Sequence, residues 1–149
     1  MGKEEQKRKY SSSWSAICDA VRNGDVVEVK RLIDSEPQLI NATNELGWTL
    51  LHLVAAQGID TVRAHEEIAR FLIGKGADVN AKAAADITPL HLIAANGSKE
   101  SLPVATVLLE NHANPYSKDK IGWLPRMYWQ HGVEIRDLLM KYMNEKKDL

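Results

Sequence analysis

Two stretches of the chain, Gly47-Trp48-Thr49-Leu50-Leu51-His52-Leu53-Val54-Ala55-Ala56-Gln57-Gly58 and Asp86-Ile87-Thr88-Pro89-Leu90-His91-Leu92-Ile93-Ala94-Ala95-Asn96-Gly97, nearly repeat one another. Self-similarity constrains the fold more than any single segment does, because repeat units bury their apolar faces only against neighbours and must stack. In the second copy Thr88 stands where a helix N-cap belongs, and Pro89 takes the first helical position, where a missing N–H costs nothing. Leu90, Ile93 and Ala94 then share one face, and Gly97 ends the run with a residue suited to the left-handed C′ conformation. The copy that begins at Thr49 adds a second amphipathic run, Glu67 to Ile73, closed by Gly74-Lys75-Gly76. Each unit therefore reads as a pair of short helices, followed by the turn-prone connector Ala77-Asp78-Val79-Asn80-Ala81.

Thr88-Pro89-Leu90-His91 and Gly76-Ala77-Asp78-Val79-Asn80-Ala81 together resemble the ankyrin repeat, in which a β-turn precedes two antiparallel helices. The resemblance implies an all-α fold, an ankyrin-repeat α-solenoid of helix-turn-helix pairs joined by β-turn or hairpin loops. Gly24, Gly58, Gly97 and Gly132 fall in register as helix-ending glycines, 34, 39 and 35 residues apart, against a family period of about 33. The surplus places insertions within Ile59 to Ala64 and near Ser98 to Ser101, both expected as surface loops. Ser15 to Gly24 keeps the helix period without Thr-Pro-Leu-His and reads as an N-terminal cap. The last unit, Asp119 to Gly132, keeps Asp-x-x-Gly-Trp and Pro125 but loses threonine and histidine, and Val133 to Met143 supplies a closing helix. The expected organisation is a solvated tail over 1–12 and one domain over 13–149 of about four repeats, the outer two acting as caps.

Composition fits one domain: 149 residues and 44% apolar content provide a continuous core once the units stack. A net charge of −1 argues against a polyanion partner, and Glu4 and Glu5 dilute the basic cluster Lys3, Lys7, Arg8 and Lys9, so no nucleic-acid partner is expected. No apolar run reaches membrane length and no signal-peptide core is present, so no membrane association is expected either. The expected location is cytoplasmic, with the nucleus, or delivery into a host cell without a cleavable signal, left open. Cys18 is the one cysteine and lies on an apolar helix face, the pattern of a reduced, buried thiol.

Chemistry is hard to place on this chain. His52 and His91 belong to the repeat motif, where the resemblance implies hydrogen bonds to backbone and to the motif threonine. His65, His112 and His131 read as residues of separate loops, and no zinc-type spacing occurs. No catalytic residue, cofactor or metal is expected, and the chain reads as non-catalytic.

Ankyrin-like modules bind other proteins through their turn tips and the exposed side of their first helices. Carried over position by position, the tips are Glu45, Leu46 and Trp48, then Ala84, Ala85 and Ile87, then Lys120, Ile121 and Trp123. The groove side is Arg22 and Asn23, Ala56 and Gln57, Ala95 and Asn96, then Gln130 and His131. Water-facing tips are polar by default, yet Leu46, Trp48, Ile87, Ile121 and Trp123 form an apolar and aromatic stripe, the composition of an interface. The alternative for Trp48 and Trp123 is that they lie flat on neighbouring turns. Asn80 has two readings as well. It resembles the substrate of an asparaginyl hydroxylase, with Leu72 eight residues before it, and it suits a turn brace. The expected function is a module, monomeric when free, that holds or occludes a partner protein as inhibitor or adaptor, an effector or immunity role included. A structural subunit of a larger assembly is the alternative.

Overall fold

A computed structural model of the chain describes residues 3–57, 62–128 and 132–146, which contain seven α-helices and no strand. The helices are α1 (Lys3–Asn23), α2 (Val26–Ser35), α3 (Leu50–Ala56), α4 (Val62–Gly74), α5 (Pro89–Asn96), α6 (Leu102–Glu110) and α7 (Val133–Glu145). They pair as α1 with α2, α3 with α4 and α5 with α6, and α7 pairs with a 3₁₀ turn at Pro125–Tyr128. One row of the solenoid runs α1, α3, α5 and that turn; the other runs α2, α4, α6 and α7.

The core lies between the rows. Ile17 and Val21 of α1, Val29 and Ile33 of α2, Leu50 and Leu51 of α3, Ile68 and Leu72 of α4, Leu90 and Ile93 of α5, Leu108 of α6 and Leu139 of α7 are all buried in it. The short first helices owe their start to a cap with histidine in the usual glutamate place. Thr88 Oγ1 accepts from His91 N–H while His91 Nδ1 accepts from Thr88 N–H at 3.2 Å, and Thr49 and His52 repeat the pair. Gly97 closes α5 in the left-handed conformation, φ 65°.

Several expectations change. The segment expected as a tail is helical from Lys3 and continuous with α1, because Glu, Gln, Lys and Arg are strong helix formers. In the first insertion, Ile59 to Thr61 lie outside the described residues, and Val62 to Ala64 extend α4 instead of forming a loop. That extension carries His65 into the helix, where it is buried and its Nε2 lies 2.8 Å from the Val21 carbonyl oxygen. Gly58 lies outside the described residues. Gly132 is not a left-handed helix end: it is the extended residue before α7, φ −145°, and a Cβ there would stand 1.8 Å from the Gly97 carbonyl oxygen. Glycine is required at 132 by closeness, not by backbone conformation.

The fourth unit also departs from a full helix pair. Leu124 and Met127 occupy the places of Thr88 and His91, and only the Pro125–Tyr128 3₁₀ turn forms among the described residues. Leu124 N–H points at Met127 Sδ, 3.4 Å away, a weak substitute for the imidazole acceptor of the earlier units.

Candidate functional site

Each tip is a tight turn held by its own backbone. In the second unit Asn44 N–H donates to Trp48 O at 3.1 Å and Gly47 N–H to Asn44 O at 2.9 Å, while Asn44 Oδ1 accepts from Leu46 N–H and Trp48 N–H, both at 2.9 Å. The fourth tip copies it: Asp119 Oδ1 accepts from Ile121 N–H at 3.0 Å and Trp123 N–H at 2.8 Å. Gly47 and Gly122, at φ 75° and 87°, supply the left-handed residue both turns need.

The third tip lacks both devices. Ala83 stands in the bracing place and Asp86 in that of the glycine, and Ala85 and Asp86 take left-handed φ of 60° and 58°. It keeps the backbone bonds, Ala83 N–H to Ile87 O at 2.8 Å and Asp86 N–H to Ala83 O at 3.0 Å, and its neighbours add two more: Ala84 N–H donates to Leu46 O at 2.8 Å, and Lys120 N–H donates to Ala85 O at 2.9 Å. The three tips are thereby one hydrogen-bonded ribbon. Buried histidines add a second set of ties from below. His52 Nε2 lies 2.9 Å from Ile87 O and His91 Nε2 3.0 Å from Trp123 O. Since each Nδ1 accepts from a threonine N–H, Nε2 carries the proton and donates. Burial holds both imidazoles below the usual histidine pKa, and the bonds to Ile87 O and Trp123 O only partly offset it.

On this ribbon Leu46 is 60% exposed, Ile121 72% and Trp123 45%. Glu45 and Lys120 are exposed at the same turn position of their tips. Trp123 meets Tyr128 edge to face at 5.6 Å, and Tyr128 meets His91 the same way at 5.4 Å. The Tyr128 hydroxyl donates to Asp119 Oδ2. Burial, then that bond to Asp119, pushes the phenol up to about 12. Desolvation opposes charge on Asp119, but the bonds from Tyr128, Trp123 N–H and Ile121 N–H outweigh it and keep its carboxyl below the ordinary value. Trp48 and Ile87 differ from the other three stripe residues: both are half-buried, and the Trp48 indole stacks on the His52 ring at 6.2 Å.

The groove positions are largely occupied by bonds within the chain. Arg22 pairs with Asp19 at 3.0 Å, Gln57 Nε2 donates to Leu53 O at 2.9 Å, and Asn96 Nδ2 donates to Gln57 O at 3.0 Å. Asn23 is exposed at the end of α1, and Gln130 and His131 lie outside the described residues. Asn80 braces the next connector with both ends of its amide: Nδ2 donates to His112 O at 3.0 Å, and Oδ1 accepts from Asn114 N–H at 2.7 Å.

Sequence reasoning missed the equivalent brace one unit earlier, where Asn41 Nδ2 donates to Gly76 O at 3.2 Å and Oδ1 accepts from Asp78 N–H at 3.0 Å. The signal was available, since Asn41 and Asn80 stand 39 residues apart, as His52 and His91 do. Asn44, Asp119 and Tyr128 were also missed as supports of the tips. Cys18 is buried, and desolvation pushes its thiol up to about 11, Arg22 opposing and Asp19 adding to the shift. Among the described residues no group of three His, Cys, Asp or Glu could hold a metal ion, and no helix is long and apolar enough to cross a membrane.

Comparison with known proteins agrees with this architecture. A family profile of ankyrin repeats in three copies matches residues 2–83, and a single ankyrin repeat matches residues 86–120. The human oxysterol-binding protein-related protein 1 is 32% identical over 137 residues, which cover 86% of this chain and 13% of that protein. The ankyrin repeat, SAM and basic leucine zipper domain-containing protein 1 of Saimiri boliviensis boliviensis is 29% identical over 126 residues, 84% of this chain and 24% of that protein. Human rabankyrin-5 is 38% identical over 95 residues, 58% of this chain and 8% of its own length. The chain thus spans a quarter or less of each of these relatives.

Proposed function

The chain belongs to the ankyrin-repeat family, and from that premise we propose that it is a non-catalytic binding module that occludes the surface of a partner protein with its turn-tip ribbon. The observation that carries this reading is the exposure of Leu46, Ile121 and Trp123 on turns braced by backbone bonds and by the Asn44 and Asp119 side chains. Covering apolar side chains on an ordered backbone costs little beyond their rotamer freedom, and full burial of an exposed one contributes on the order of 1.5–3 kcal/mol, less where the side chain is already partly covered. The groove supports a secondary part, because Gln57 and Asn96 already spend polar groups on their neighbours. The bound segment meets Glu45 at one end of the ribbon and Lys120 at the other.

The test is affinity capture from a lysate of the source cells, with the wild type beside Leu46→Glu/Ile121→Glu. Both side chains are exposed, so the double variant should fold as the wild type does. A partner held by the wild type and released by the folded variant supports the reading; a partner held equally by both refutes it. Trp48→Ala is unsuitable as a binding probe, because it also removes packing against His52.

A further inference from the structure

The Pro125–Tyr128 turn and α7 enclose an open cleft of about 490 Å³, well away in sequence from the Leu46 tip. Among the described residues its lining is Arg126 and Met127 from the turn with Arg136, Asp137 and Met140 from α7. The α7 residues share one face by helical spacing. Met127 and Met140 are 40% and 38% exposed. Arg136 is matched by its neighbour Asp137 at 2.8 Å. Among the described residues Arg126 is not matched: its Nε is enclosed with no acceptor, and no carboxylate pairs with its guanidinium. The cleft therefore carries, among the described residues, one positive charge without a counter-charge, beside two exposed thioethers.

Such a lining suits one kind of occupant. A carboxylate answers the Arg126 guanidinium with charge-assisted hydrogen bonds. Methionine adapts to aliphatic groups of varied shape, which a free inorganic anion does not offer. The volume falls within the roughly 300–1,000 Å³ typical of small-ligand sites, room enough for a few side chains. We propose that this cleft is a second binding site, one that receives an acidic residue flanked by leucine-like side chains in a segment of a partner protein. It is independent of the turn-tip reading, and either can fail alone.

The test uses the whole chain with methionine methyl groups labelled with ¹³C, which gives four signals: Met1, Met127, Met140 and Met143. The probe is a terminally blocked Leu-Glu-Glu-Leu tetrapeptide, compared with Leu-Gln-Gln-Leu and with acetate. The expected result is saturable movement of the Met127 and Met140 signals by the glutamate peptide. Its affinity should exceed that of the glutamine peptide about tenfold and fall about tenfold in Arg126→Met. Met140→Asp, on the exposed face of α7, should weaken binding with the fold intact, and it decides the matter should Arg126→Met unfold. Four results would overturn the proposal. These are no movement at millimolar peptide, equal binding of both peptides, equal binding of acetate, or movement driven by protein concentration alone, which would assign the cleft to self-association.

Discussion

Replacing His91 by alanine removes three contacts of a side chain that is fully buried, among them the 2.8 Å contact between Thr88 Oγ1 and Nδ1. Thr88 N–H loses the acceptor Nδ1, 3.2 Å away, and Trp123 O loses the donor Nε2, 3.0 Å away. Each orphaned buried group costs about 1–3 kcal/mol. With the packing lost around the ring, the expected destabilisation is roughly 3–5 kcal/mol, a large part of the ~5–15 kcal/mol that holds a domain of this size. Urea unfolding followed by far-ultraviolet circular dichroism should show the midpoint fall by about 1.5–2 M at pH 7.5. His91→Met copies what the fourth unit does at Met127; it refills the space and returns a weak acceptor to Thr88 N–H, so it should cost about half as much. The dependence on pH has a fixed sign. Burial holds the imidazole below its ordinary 6.5 in the folded state, so the neutral ring's contribution is complete above that value and is lost as pH falls through the lower folded value. The gap between wild type and His91→Ala should therefore narrow on acidification. A cost below about 1 kcal/mol, a methionine variant as damaged as the alanine one, or a gap that widens in acid would refute the assigned role.

Three further outcomes are expected. Ala85→Gly relieves a left-handed residue at φ 60°, and after the extra freedom glycine gives the unfolded chain it should raise stability by about 0.5–1 kcal/mol, read from the same urea midpoint. Asn80→Ala breaks the bonds to His112 O and Asn114 N–H and should cost about 1–2 kcal/mol; because both partners lie near the surface, hydrogen exchange should quicken locally at Asn114 and Tyr116. Cys18, with its thiol pushed up to about 11 and its side chain buried, should resist iodoacetamide at pH 8 in the native protein and react at the rate of unfolding, while fast native labelling would contradict its burial.

The sequence made the repeat legible because the cap is local: Thr88, Pro89 and His91 act within one helical turn, and their spacing states their roles. Tip membership was legible for the same reason, since Leu46 and Ile121 each sit beside a glycine that fixes the turn. What failed to show in the sequence depends on neighbours. Trp48 reads like Trp123, yet a ring in its own unit, His52, partly covers it, whereas Trp123 keeps an open face. His65 reads as a loop residue until α4 is seen to begin at Val62. Gly132 shares the register of Gly97 but answers to the nearness of the Gly97 carbonyl. The third tip shows the limit best. Asp86 in place of glycine looks like a defect in the string, and beside its own backbone bonds the turn is tied to Leu46 O and Lys120 N–H in adjoining units.

Those same cross-tip bonds change the thermodynamics of recognition. Separate loops would each have to be fixed when a partner arrives, and the ordering of every residue would oppose binding by about 1–2 kcal/mol. Here Ala84 to Leu46 and Lys120 to Ala85 have already fixed the backbone during folding, so a partner immobilises little more than side-chain rotamers, at about 0.5–1.5 kcal/mol each. The entropy of arranging the ribbon is thus charged to folding, and an interface of few side chains can hold on with what remains.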